Sequence, residues 1–145
     1  MINYYNSAVH QNWTRIISGF LIVGGDGSPR LSSIEEYDPA TKNSCKVGDL
    51  PQARKEGSLC NSVYCGGRGG DRSCVKLEGG TFSQMSVTLL QNRYRHLCWG
   101  LPSGEILLMG GSSSSRTTER LSSDGSSSSP DFDLAYPASY VSYLV

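Results

Sequence analysis

The sequence predicts an all-β fold of repeated antiparallel sheets, and three observations support this prediction. A short apolar run that ends in two glycines occurs three times, at 20–25, 62–67 and 106–111. Each run is too short for a helix and rich in strand-favouring residues. The copies follow one another at intervals of roughly 40–50 residues, a period typical of arrays of small repeated units.

Each copy lies within a longer series of strand-forming segments separated by turn residues. Sequences such as Asp26-Gly27 and Gly79-Gly80 mark the turns, because these residue pairs favour hairpin connections. The predicted strands of the first repeat are 13–17, 20–23, 33–37 and 44–47. Those of the second are 57–60, 62–65, 73–77 and 81–87. Those of the third are 95–99, 105–109, 117–121 and 132–134.

Two further segments complete the description of the chain. The serine run at 126–129 predicts a disordered or long loop, since such tracts are typical of flexible linkers. The last residues, 138–145, alternate small or polar with apolar side chains and predict the first strand of a fourth repeat. Residues 1–12 are polar and predict an irregular lead-in.

Composition excludes several classes of partner. The chain of 145 residues carries 13 basic and 13 acidic residues. Without a basic excess it has little to neutralise phosphates, which argues against nucleic acid and against a membrane surface. No apolar run approaches the roughly 18–20 residues of a transmembrane helix.

Five cysteines are more than such a domain needs, and the odd number leaves at least one without an intramolecular partner. Cys65 and Cys74 flank a glycine-rich turn on two predicted antiparallel strands, where opposite residues are close enough to bridge. We expect this pair to form a disulfide in an oxidising compartment and to remain two buried thiols in the cytosol. No Cys-x-x-Cys motif is present, which argues against a zinc site.

The order of these segments resembles the kelch repeat, in which an apolar strand ends in Gly-Gly. The similarity extends over 13–145, and 50–54 and 90–96 resemble the kelch segment where an arginine and then a histidine are common. Residues 34–41 resemble the third kelch strand and its turn. The resemblance implies an incomplete kelch-type β-propeller of about three four-stranded antiparallel blades plus a lone strand. The implied blades are 13–48, 57–87 and 95–135, with 138–145 as the first strand of a further blade.

The chain departs from the kelch family in composition and in size. Kelch repeats usually carry a Tyr in the third strand and a Trp in the fourth, whereas here Tyr37 is followed by Cys45. The cysteines give a loose similarity to extracellular kelch-like proteins of invertebrates. Propellers are closed rings of roughly 4–8 blades. We therefore expect a piece of a longer protein, an incomplete gene model, or a unit that self-associates through its open blade faces.

The resemblance implies a non-catalytic protein-interaction module, because the loops of kelch propellers present binding residues to partner proteins or peptides. The corresponding loops carry six arginines that would suit an acidic partner. These candidate binding residues are Arg30, Arg68, Arg72, Arg116, Arg54 and Arg93. Ordinary solvated arginines are the alternative interpretation.

An enzyme is the second hypothesis, since some copper radical oxidases use a kelch-like propeller. Their site needs a cysteine cross-linked to a tyrosine and two histidines, whereas His10 and His96 lie in different repeats. We expect His96 to be structural, and we expect no catalytic residue, metal or cofactor. An inactive truncated product is a third possibility.

The sequence leaves the compartment open between two alternatives. The cysteines favour a secreted or extracellular protein. The first residues lack the basic and apolar regions of a signal peptide, which favours the cytoplasm.

Overall fold

The computed structural model describes residues 20–112 and 116–138, and all regular structure in these residues is β-strand. The predicted strand at 13–17, most of the segment 138–145 and His10 lie outside the described residues. The strands are β1 Phe20–Gly25, β2 Leu31–Asp38, β3 Asn43–Asp49, β4 Ser58–Cys60, β5 Val63–Cys65, β6 Ser73–Glu78, β7 Thr81–Thr88, β8 Leu97–Gly100, β9 Ile106–Met109, β10 Thr117–Leu121 and β11 Ser128–Asp133.

The strands form three antiparallel sheets in chain order. The first sheet is β1-β2-β3, the second is β4-β5-β6-β7 and the third is β8-β9-β10-β11. Every neighbouring pair is antiparallel, so each connection within a sheet is a hairpin. This arrangement confirms the prediction of an all-β chain with repeated antiparallel sheets.

The prediction of a loop for the serine run at 126–129 is wrong for Ser128 and Ser129, which begin β11, whereas Ser126 and Ser127 do lie in the loop before it. Ser128 and Ser129 pair with Leu121 and Arg120, so β11 begins before the predicted strand. Asp124 orders the preceding turn, where its carboxylate accepts hydrogen bonds from the backbone N–H of Ser126 at 3.0 Å and from nearby serine hydroxyls. Short polar side chains that satisfy the backbone stabilise tight turns. Serine here supports the turn and the strand pairing.

Two apolar clusters join the sheets. The first cluster lies between the first and second sheets and includes Ile34, Tyr64 and Phe82. The second lies between the second and third sheets and includes Val63, Leu108 and Leu121. The second sheet is therefore covered on both faces, which fits the nearly continuous apolar character of β5.

A repeated hydrogen bond ties each glycine pair to the loop that leaves its sheet. The second glycine donates its backbone N–H to one loop carbonyl. The donors and acceptors are Gly25 and Arg54, Gly67 and Arg93, and Gly111 and Ala138, at 3.1, 2.8 and 2.8 Å. A β-carbon on the first glycine of each pair would clash with the same carbonyl. This close approach explains the glycine at the first position, and the positive φ of the second residue in each pair favours glycine there.

Candidate functional site

Three loops meet at the end of the first and second sheets where β1 and β5 finish. Lys55 and Arg68 exchange backbone hydrogen bonds of 3.2 and 2.7 Å across two of these loops. The Lys55 ammonium lies 2.6 Å from Asp26 in the third loop. A β-carbon at Gly69 would lie 3.1 Å from Arg30 Nη1. The fold thus brings together Arg30 and Arg68, two of the six predicted residues.

Glu56 organises the centre of this region. Its carboxylate lies 2.9 Å from Arg68 Nε and 2.9 Å from Arg95 Nη2. The Arg68 contact lacks hydrogen-bond alignment, whereas the Arg95 contact is a true hydrogen bond. Arg68 also stacks on the Tyr94 ring with 4.6 Å between guanidinium carbon and ring centroid. The guanidinium of Arg68 is therefore held in place on one face by an aromatic ring.

We call this group the loop cluster. Its members are Asp26, Arg30, Lys55, Glu56, Arg68, Tyr94 and Arg95. Basic side chains outnumber acidic ones within it. The hydrogen bond from Lys55 is the main cause that lowers the pKa of Asp26, and the charges of Lys55, Arg30 and Arg68 contribute further. Asp26 is exposed, so the field of these cations extends to the surface.

Arg30 is the member of the loop cluster best placed to meet a ligand. It is exposed, and the described hydrogen bonds and ion pairs leave its guanidinium without a partner. Arg68 is half-exposed at 43% of its side-chain surface, although it also contacts Glu56. Guanidinium groups bind carboxylates in a bidentate fashion. These two arginines can therefore offer hydrogen-bond donors to an anionic group.

Arg54 and Arg93 do not present their side chains to a partner, because they are 0% and 1% exposed. Arg54 Nη1 donates to the carbonyls of Gly66 at 3.4 Å and Ser73 at 3.2 Å. Arg93 Nη1 makes the equivalent bonds one repeat later, to Gly110 at 2.8 Å and Thr117 at 3.0 Å. Both arginines join a connecting loop to the next sheet. Their expected surface role is corrected to a structural one.

The two arginines differ in their counter-charges. Arg93 Nε donates to the buried carboxylate of Glu119. At the equivalent position in β6 lies Val75, and Arg54 Nη2 is buried without a hydrogen-bond partner among the described residues. Burial lowers the pKa of the Arg54 guanidinium, and Tyr64 and Asp71 partly offset this effect.

Arg72 and Arg116 occupy a second pair of equivalent positions. Both are exposed, and their Nε atoms donate to the carbonyls of Leu89 and Leu134 at 2.6 and 3.3 Å. The backbone carbonyl of each arginine in turn accepts a hydrogen bond from the backbone N–H of the same leucine. No hydrogen bond or ion pair among the described residues joins the side chain of either arginine to the loop cluster.

His96 is buried beside the loop cluster, with 6% of its surface exposed. Its Nε2 shares a 2.5 Å hydrogen bond with Ser58 Oγ, and Nδ1 has no partner in the described part of the chain. Burial, with a smaller effect of the Arg93 charge, lowers the pKa of His96 to about 3. The imidazole is therefore neutral at physiological pH. No group of three or more potential metal ligands occurs among residues 20–112 and 116–138.

Four of the five cysteines are paired. Cys65 and Cys74 face each other in the β5–β6 ladder with Cα atoms 4.1 Å apart and form a disulfide. A second disulfide, which sequence reasoning missed, joins Cys60 in β4 to Cys98 in β8. Cys45 in β3 is a free, exposed thiol. Structural disulfides persist in oxidising environments, so the two bridges favour an oxidising compartment.

Several members of the loop cluster were also missed from the sequence. A signal for two of them exists, because Glu56 and Arg95 each stand two residues after the repeated loop arginine. Opposite charges at equivalent positions of successive repeats form the ion pair seen here. The Arg95 N–H also donates to the Glu56 carbonyl at 2.7 Å.

No protein-family model matches the chain, and a search of curated proteins finds no significant match. Within the described ranges, no helix is long and apolar enough to cross a membrane.

Proposed function

We propose that this chain is a non-catalytic protein-interaction module that binds an acidic segment of a partner protein at the loop cluster. The observation that carries the proposal is the convergence of Arg30, Lys55 and Arg68 around Asp26 at one exposed end of the sheets. Charge-assisted hydrogen bonds from guanidinium groups are strong and directional.

We further propose that the three sheets are blades of a kelch-type propeller. The repeated hydrogen bond of the second glycine supports this proposal. In all three sheets it joins the glycine pair to the loop that follows the last strand of that sheet. A second hydrogen bond that recurs in every repeat also supports it. The backbone N–H groups of three leucines donate to backbone carbonyls: Leu50 to Ser32, Leu89 to Arg72 and Leu134 to Arg116. Each leucine stands four residues before the loop residue that bonds the glycine pair. A rigid blade array would hold its loops in fixed positions.

The loop cluster has features of a recognition surface rather than of a saturated ion-pair network. Arg30 keeps its donors free among the described contacts, and Tyr94 limits the rotation of Arg68 by stacking. A side chain already held in place loses less entropy on binding. A carboxylate that approaches Arg30 and Arg68 also enters a region of surplus positive charge. It must approach from the exposed side, because the carboxylates of Glu56 and Asp26 repel it elsewhere in the loop cluster.

The test uses a peptide of eight glutamates as the acidic probe. In the ¹⁵N-labelled chain, the Nε–Hε signals of Arg30 and Arg68 should shift on titration at low salt, and the affinity should fall as salt is added. Replacing both residues (Arg30→Gln with Arg68→Gln) should weaken binding by more than about tenfold, since each lost charged hydrogen bond costs about 1.5–3 kcal/mol.

The pair Arg72→Gln with Arg116→Gln is the matched control. It removes the same charge from exposed arginines outside the loop cluster and should change the affinity by less than about twofold. Equal losses in the two double variants would indicate general charge attraction and would contradict the proposal. Failure of the unmodified chain to bind the peptide at low salt would also contradict it.

We also propose that the protein acts outside the cell. The two disulfides support this, because small β domains in oxidising compartments commonly use such bridges. Alkylation of the protein from its native source under denaturing, non-reducing conditions, followed by mass measurement, tests this directly, because unfolding exposes the buried cysteines. One alkylated thiol is expected, and five alkylated thiols would place the protein in a reducing compartment.

A further inference from the structure

The loop cluster contains an acidic side chain of the protein itself, Glu56, against one of the two arginines proposed to bind a ligand. The Glu56 side chain is only 13% exposed, and its carboxylate contacts two guanidinium groups. Its Oε1 accepts a 2.9 Å hydrogen bond from Arg95 Nη2. Its Oε2 lies 2.9 Å from Arg68 Nε. The protein therefore supplies an anion of its own to the site proposed for an acidic partner.

The contact between Glu56 and Arg68 is electrostatic and is not a hydrogen bond. Oε2 and Nε are both buried, and neither atom has a hydrogen-bond partner in the described part of the chain. A buried donor and a buried acceptor that stay unsatisfied cost free energy. A guanidinium makes stronger contacts when two parallel N–H groups face the two oxygens of one carboxylate. Glu56 therefore holds Arg68 less firmly than a correctly oriented ligand carboxylate would.

The backbone at Glu56 is also unusual. Glu56 and Arg95 have φ angles of 63° and 60°, in the left-handed region that residues other than glycine rarely adopt. Residues in such conformations cluster at binding sites and switch regions. The Arg95 N–H donates a 2.7 Å hydrogen bond to the Glu56 carbonyl, which joins the two loops in this conformation. The position of the Glu56 carboxylate is thus fixed by two loops that are locally unfavourable.

We propose that Glu56 is an internal ligand of Arg68, which the carboxylate of an acidic partner replaces. This inference rests on the proposed function and adds how its site is regulated. In the free protein, Glu56 offsets the charge of Arg68. In the complex, the partner's carboxylate binds the Arg68 guanidinium, and the Glu56 carboxylate moves away from Nε. The observed affinity is then lower than the intrinsic affinity, because only the fraction of molecules with Arg68 released is competent to bind.

Two contacts make this exchange feasible. Arg95 keeps its hydrogen bond to Glu56, so the displaced carboxylate retains a counter-charge. The Tyr94 ring, with its centroid 4.6 Å from the guanidinium carbon of Arg68, holds that guanidinium after the contact with Glu56 is broken. The exchange also selects the ligand. An anion that makes a single contact with Arg68 gains little over Glu56, whereas a carboxylate bound in a bidentate fashion gains more.

Titration with the glutamate peptide compares the unmodified chain with Glu56→Gln. The amide carries no charge and competes less for Arg68, so the variant should bind the peptide about fivefold more tightly or better. Asp26→Asn is the matched control, because it removes the same charge from the loop cluster but leaves Glu56 against Arg68. Asp26 is exposed and screened by salt, so the gain in affinity of the control should be about twofold or less at about 0.15 M salt.

NMR signals of the Arg68 side chain test the exchange itself. The Nε–Hε signals of Arg68 in the unmodified chain and in Glu56→Gln should differ in the free proteins. They should approach each other when the peptide saturates both chains, because the carboxylate of Glu56 has then left Arg68. Signals that stay equally far apart would show that Glu56 remains on Arg68 in the complex, and this result would overturn the inference.

The outcomes separate this inference from the proposed function. Unchanged or weaker binding by Glu56→Gln would mean that Glu56 only positions Arg68, and equal gains in both variants would mean a general effect of charge. Either result overturns the inference and leaves the proposed function standing. Peptide binding by Glu56→Gln alone supports the inference and contradicts the proposed function, whereas binding by neither chain overturns both. Circular dichroism and two intact disulfides verify that each variant is folded.

Discussion

Arg93 and Glu119 form an ion pair in which neither side chain exceeds 1% exposure. The pair joins the loop after β7 to the third strand of the next sheet. Glu119 also accepts from the Leu90 N–H and from Ser128 Oγ, both at 2.8 Å. Its carboxylate is therefore hydrogen-bonded on both oxygens, which offsets the cost of burying the charge.

Removing one member of this pair should be strongly destabilising. Glu119→Gln leaves the Arg93 charge buried without a counter-charge, and we expect the free energy of unfolding to fall by about 3–5 kcal/mol. Urea unfolding followed by tryptophan fluorescence measures the change. Asp49→Asn, which breaks the exposed pair with Lys46, is the control and should leave the free energy of unfolding almost unchanged. Similar losses in the two variants would contradict this account of Glu119.

The two loop arginines should respond differently to the same substitution. Arg93→Met leaves Glu119 as an unpaired buried anion and should cost about 3–5 kcal/mol. Arg54→Met removes hydrogen bonds to three carbonyls and leaves no buried anion behind, because Val75 stands where Glu119 would be and Asp71 is exposed. Its cost should be about 1–3 kcal/mol.

A double variant checks the cause of that difference. Adding Glu119→Leu to Arg93→Met removes the unpaired charge and should recover part of the lost stability. No recovery would mean that the carbonyl contacts, and not the unpaired charge, dominate the cost of Arg93→Met.

The disulfide between Cys60 and Cys98 should contribute more stability than the one within the second sheet. It closes a loop of 38 residues and joins two sheets, whereas Cys65–Cys74 closes a loop of 9 residues. Replacing both members of the longer bridge with alanine should cost about 3–4 kcal/mol, and a smaller loss is expected for the shorter bridge. Thermal unfolding of the two double variants, compared under non-reducing conditions, gives the order. An equal or reversed order would show that loop length does not govern their contributions.

Some features of this fold can be predicted from the sequence and others cannot. The glycine pairs can be predicted, because a close approach of two backbone segments requires glycine at the same position of every repeat. The Cys65–Cys74 bridge is predictable because both residues flank one hairpin turn. Cys60–Cys98 depends on how two sheets pack, which local periodicity does not encode. The burial of Arg54 and Arg93 was missed for the same reason, because an arginine in a loop is typical of the surface until the next sheet covers it.

His96 makes the stability of the fold depend on pH in a defined direction. Its pKa in the folded state is about 3, whereas a histidine in the unfolded chain has its ordinary pKa of 6.5. Between these values the unfolded chain binds the extra proton, so the free energy of unfolding falls as the pH drops below about 6. The loss should be of the order of 1 kcal/mol for each pH unit until the folded pKa is reached.

His96→Gln should remove this slope in urea titrations from pH 6.5 to pH 4, whatever its effect at pH 7. Ser58→Ala is the companion variant: it removes the partner of Nε2 but leaves the imidazole buried, so it should lower stability and keep the slope. A slope that persists in His96→Gln would assign the dependence to carboxylates and not to this histidine.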